Sequence, residues 1–114
     1  MNENLLNIKI ALEMVDNEKS LLTELLEAFR EDVPFSLKKL NNLMQATQED
    51  AAKYVHYYKG AARQIGAEAL AQSGQNLEDV LRGKKSGDIA QLADIFSNLY
   101  FATQEAVSDS LLIL

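Results

Sequence analysis

From Ile8 to Ala106 apolar residues return every three or four positions, and no stretch sustains the period-two alternation of a half-buried strand. That pattern directs the chain toward amphipathic helices packed through their apolar stripes. A single proline and five glycines leave little room for irregular structure. At 114 residues and 47% hydrophobic content, the chain has one domain's length and enough apolar side chains for a core. Residues 1–114 are therefore read as a single domain.

The stripes divide at recognisable breakers. A short first helix uses Ile8, Ala11, Leu12 and Val15, and Asp16-Asn17-Glu18 ends it with side chains suited to capping. A second helix places Leu21, Leu22, Leu25, Leu26 and Phe29 on one stripe. Pro34 closes it and suits the opening of a third, which packs Leu37, Leu40, Leu43 and Met44. Thr47 with Asp50 resembles a capping box and opens a fourth helix, for which Gly66 is the C-terminal cap. A fifth uses Leu70, Leu77, Val80 and Leu81, and Gly83 to Gly87 form a turn. The last runs from Asp88 to about Ser110 with Ile89, Leu92, Phe96, Leu99, Thr103 and Ala106 inward. Short connections make consecutive helices antiparallel neighbours. The expected fold is all-α, an up-and-down antiparallel four-helix bundle with the short N-terminal helix capping one end.

The fourth helix carries the only histidine of the chain. At ~100° per residue, Ala51, Tyr54, Val55, Tyr58, Ala61, Ala62 and Ile65 fall on one buried arc. His56 stands opposite that arc, with Ala52, Lys53, Lys59, Gly60 and Arg63 around it. An outward imidazole in a locally basic stretch of a chain of net charge −6 suits an anion. Gly60 sits mid-helix, where glycine costs about 1 kcal/mol relative to alanine. One turn beyond His56, its missing side chain lets another surface approach the ring.

The run His56, Lys59, Gly60, Ala61, Ala62, Gly66, Ala67 and Leu70 resembles the histidine phosphotransfer (HPt) domain of bacterial and fungal phosphorelays. Tyr58 departs from it, standing where that family usually has leucine or isoleucine; both Tyr54 and Tyr58 read as core. The resemblance implies a stoichiometric phosphocarrier and not an enzyme. His56 Nε2 would take a phosphoryl group from an aspartate of one response-regulator receiver domain and surrender it to another. Lys59 would neutralise the phosphoryl oxygens. Ala52, Lys53, Gly60, Arg63 and Gln64 would form the docking face, with Lys53 and Arg63 toward an acidic receiver pocket. The partners implied are receiver domains and a sensor histidine kinase, and the Mg²⁺ of the reaction belongs to the receiver.

Other classes lack their residues. Neither G-x-x-x-x-G-K-[ST] nor G-x-G-x-x-G occurs, so no ATP site of its own is expected. His56 has no His or carboxylate partner three or four residues away, which argues against a metal site. No acid on that face orients the imidazole and nothing suggests an oxyanion hole, which argues against a hydrolase. The absence of cysteine excludes disulfides and sulfur-ligated metal, and fits a reducing compartment. A pI near 4.7 argues against nucleic acid, and no apolar run approaches the ~20 residues a membrane span needs. A cytoplasmic monomer is expected.

Several readings stay open. Glu78 and Arg82, one turn apart on the fifth helix, either frame the site or form an ordinary solvated ion pair, and Gln75 is a similar case. Leu5, Leu6 and Ile8 offer an alternative docking surface. The chain reads as a free-standing carrier; the alternatives are the phosphoacceptor domain of a larger hybrid or chemotaxis-type histidine kinase, or an adaptor that docks a receiver without accepting phosphate.

Overall fold

The computed structural model describes residues 5–114, which form six α-helices and no strand. They are α1 (Ile8–Met14), α2 (Lys19–Glu31), α3 (Leu37–Ala46), α4 (Gln48–Gln64), α5 (Glu68–Leu81) and α6 (Ile89–Ile113). Residues 1–4 lie outside the described part.

Local side-chain chemistry sets most boundaries. Asn7, Ser36, Thr47 and Asp88 each accept a hydrogen bond from the backbone N–H three residues on, opening α1, α3, α4 and α6. Thr47 both closes α3 and opens α4, so one residue separates the two helices. Gly66 (φ +73°) ends α4 as expected: its N–H bonds Arg63 O and the Ala67 N–H bonds Ala62 O, the paired closure of a Schellman motif. The break after α1 works differently from the expected cap. Glu18 makes no side-chain cap bond, and the chain turns because Asp16 and Asn17 adopt left-handed φ of 54° and 62°. Pro34 likewise opens no helix. It lies in the connection, and α3 begins at Leu37 under the Ser36 cap.

Side-chain pairings fix the directions of the helices. Glu49 meets Arg82, His56 meets Glu78 and Lys59 meets Gln75, so α4 and α5 run antiparallel. Tyr58 meets Val33 while Tyr54 meets Ser36 and Lys39, so α3 and its entry run against α4. The core holds Leu22, Leu26, Leu40, Leu77 and Phe96, all fully buried, each worth about 1.5–3 kcal/mol relative to exposure. At its centre lies Phe35, from the α2–α3 connection, with ring contacts to Tyr54, Tyr58, Phe96 and Tyr100 at 5.0–5.9 Å. Helical spacing could not find Phe35, which is outside any helix, and it missed Tyr100 on α6. Leu21, expected on the buried stripe, is exposed. Tyr58 donates to Val33 O at 2.8 Å, and its burial, helped by Tyr54, pushes its phenol well above the ordinary range, keeping it a protonated donor.

Leu6 is buried, and Leu5 and Ile8 pack partly buried against the core, so these three are packing residues and not a free docking surface.

Candidate functional site

Helix α4 is covered along two flanks. One carries the expected arc of Ala51, Val55, Tyr58 and Ala62. The other, facing α5, buries Ala52 and Lys59 as well. The outward reading of those two residues is corrected here: antiparallel α5 lies close against them. Gly74 of α5 permits the approach. A Cβ on Gly74 would sit 3.0 Å from Lys59 Cβ and 3.0 Å from Phe96 Cε1, so the Lys59 stem crosses α5 where the side chain is missing.

Glu78 is the centre of this flank. His56 Nδ1 lies 3.2 and 3.1 Å from its two oxygens. Lys59 Nζ is 2.8 Å from Oε1, and Arg82 Nε is 2.9 Å from Oε2. Arg82 also holds Glu49 at 3.0 and 3.1 Å. The Glu78 side chain is 7% exposed and the Lys59 side chain 6%, whereas that of His56 is 61% exposed. Burial alone would push the Glu78 carboxyl up. Hydrogen bonds from Lys59 and Arg82, the Lys59 charge and the His56 contact outweigh it and hold the carboxyl at about 2. Glu78 is thus an anion at neutral pH.

The expectation that no acid orients the imidazole is therefore corrected. An acceptor against Nδ1 favours the tautomer with its proton on Nδ1, which leaves the Nε2 lone pair available. Nε2 has no hydrogen-bond partner among the described residues. Glu78 and Arg82 do form an i, i+4 ion pair, but on a buried flank rather than a solvated helix face, with the Glu78 carboxylate against His56. The separation of 22 residues between His56 and Glu78 hid that contact from any single-helix argument.

On its other side His56 borders an open groove of about 640 Å³. Leu25, Ala28, Phe29 and Asp32 form one wall, and Tyr57, Gly60, Ala61 and Gln64 the other. Tyr57 donates to Asp32 Oδ2 across its end, and that carboxylate raises the phenol's pKa. A Cβ added at Gly60 would meet nothing within 4 Å. The proposed docking set thus divides. Gly60 and Gln64 line the groove and Ala52 is buried. Lys53 is exposed outside the lining, and exposed Arg63 reaches α5, donating to Gln75 Oε1 at 3.2 Å. Sequence reasoning missed Gly74, Asp32 and Tyr57. Only Gly74 left a signal, as a glycine inside a helical pattern.

No helix among the described residues is long and apolar enough to cross a membrane. A family model described as the Hpt domain matches residues 24–110. No curated protein and no solved structure gives a match.

Proposed function

This chain belongs to the Hpt domain family, the phosphocarrier modules of two-component signalling, and from that premise we propose that His56 is its phosphoacceptor. The observation that carries the reading is the orientation of the imidazole: Nδ1 faces the Glu78 carboxylate while the ring is largely exposed and Nε2 has no partner among the described residues. Nε2 attacks the phosphorus of an aspartyl phosphate on a receiver domain. The N–P bond forms, the P–O bond to the aspartate breaks, and the aspartate leaves as a carboxylate. No proton moves. The Nδ1 proton stays, the ring gains positive charge as the phosphoryl group arrives, and Glu78 lies against that charge. The transition state is loose, so position and electrostatics dominate. Lys59 shares Glu78 Oε1 with the imidazole and brings a fixed cation to the same carboxylate. Return of the group to a second receiver reverses the step.

The groove beside Gly60 and Gln64 suits the docking of a receiver, whose own Mg²⁺ serves the aspartate. The kinase that starts the relay supplies the ATP site. An adaptor without phosphate chemistry has no use for a buried carboxylate aimed at a histidine. The finer reading is a free-standing, monomeric, cytoplasmic carrier formed by residues 1–114, with the antiparallel pairs arranged as an up-and-down four-helix bundle capped by α1.

The test is incubation with an isolated receiver domain charged with radiolabelled phosphate from acetyl phosphate. Wild type should take up label that survives alkali and is lost in acid. His56→Gln should fold normally, because the site is exposed, and take up none. Uptake in that variant overturns the assignment.

A further inference from the structure

Gln75 lies on α5 about one turn before Glu78, and the pairing of Glu78 with His56 leaves it without a role. Its side-chain oxygen accepts from Lys59 Nζ at 3.0 Å and from Arg63 Nη2 at 3.2 Å. Its amide nitrogen donates to Asp79 Oδ1 at 2.8 Å. The orientation of the amide follows from these neighbours. Turned over, it would aim N–H groups at two cations and an oxygen at a carboxylate. Asp79 thereby fixes which end of Gln75 meets Lys59.

Lys59 needs such an anchor because it is buried. Its ammonium has three N–H donors. Glu78 Oε1 takes one at 2.8 Å and Gln75 takes another; no third protein partner is recorded among the described residues. A second carboxylate in place of Gln75 would bind Lys59 and Arg63 through charge-assisted bonds and cancel more of their charge. An apolar side chain would leave the buried ammonium with one partner. A neutral amide oxygen holds the cation without adding negative charge.

We propose that Gln75 is a positioning residue for phosphoryl transfer, holding Lys59 beside the histidine without competing for its charge. The proposal rests on His56 being the phosphoacceptor. Gln75 touches no reacting atom; it acts through Lys59, which shares Glu78 Oε1 with the imidazole.

The test compares wild type, Gln75→Glu and Gln75→Leu, using a receiver domain charged with acetyl phosphate. Transfer rate is measured against receiver concentration and melting temperature alongside. Gln75→Glu should lower the saturating rate about ten-fold and leave the receiver KM within about two-fold. Its melting temperature should fall only modestly, because the glutamate loses the bond to Asp79 but gains charge-assisted pairing to Lys59 and Arg63. Gln75→Leu should lower the saturating rate too, by less. An unchanged saturating rate in Gln75→Glu overturns the proposal and leaves His56 untouched, as does a change confined to KM, which would make the residue part of docking. A melting temperature lost in Gln75→Leu with the Gln75→Glu rate intact marks a structural role and also overturns it. A wild-type chain that takes up no phosphoryl group overturns both readings.

Discussion

Two regions flank the same helix and are built on opposite principles. Between α4 and α5 the side chains are polar and paired around a buried carboxylate: Glu78 is held by buried Lys59, partly exposed Arg82 and exposed His56 within hydrogen-bond distance. Between α2 and α4 the lining is largely apolar or small, and the space is open. His56 stands on the ridge between them. A buried ion cluster is costly to desolvate and contributes less to stability than its contacts suggest, but its geometry is specific. An open groove specifies no conformation and leaves apolar surface free for a partner. One flank therefore sets the state of the imidazole, and the other, under the proposed function, is where a receiver reaches it.

Glu78→Gln should separate the two flanks most strongly. It leaves Lys59 buried without its anion and puts a neutral amide, with one acceptor oxygen in place of two, against Nδ1. Stability should fall by about 3 kcal/mol and transfer by about a hundred-fold, with receiver affinity little changed. The loss should also depend on pH. The folded carboxyl sits at about 2, below its ordinary value of 4.5, so its contribution is complete above 4.5 and disappears as pH falls toward 2. Melting temperatures of wild type and variant should differ most above pH 4.5 and converge below it. A constant gap across that window would mean that the cluster is not what Glu78 stabilises.

The same substitution on the two flanks should have opposite signs. Gly74→Ala brings a methyl group to 3.0 Å from Lys59 and Phe96, at a cost of about 1–3 kcal/mol, and should slow transfer by displacing the Lys59 stem. Gly60→Ala meets nothing and should be neutral or stabilising by up to about 1 kcal/mol. Thermal melts decide, and two variants that change in the same direction would erase the distinction. Gly60→Gln should fold like wild type but raise the receiver KM, because its side chain enters the groove. Unchanged kinetics would place docking elsewhere.

The smallest effect is expected at the groove's end. Tyr57→Phe removes an exposed hydrogen bond to Asp32 and should cost well under about 1 kcal/mol. A change in receiver KM with the saturating rate intact would extend the docking surface to this tyrosine.

The difference between the flanks also explains what the sequence revealed. Periodicity located the helices because each stripe is written within one segment. The caps at Thr47 and Gly66 were equally local. His56, Lys59 and Gly60 were legible as a motif. Lys59 and Ala52 were misplaced because α4 buries a second flank through alanine and a lysine stem, which carries little hydrophobic signal. Glu78 was visible only as half of an ordinary i, i+4 pair. Its contact with His56 depends on the antiparallel register of α5 against α4. The wall that Asp32 adds to the groove depends on how α2 packs, and Phe35 is buried by tertiary contacts from a connection with no period of its own.

The three-residue link between α4 and α5 has a consequence for how the molecule assembles. Every side chain bonded to Glu78 lies within residues 49–82, inside one helical hairpin. Closing so short a loop costs little chain entropy, and contacts of low sequence separation form early in folding. The groove has no such advantage, since Leu25 and Phe29 must arrive from a distant segment. A partly opened state that releases α2 would keep the contacts around Glu78 and lose the groove. Local opening of α2 would therefore take the groove apart while leaving the orientation of the imidazole in place.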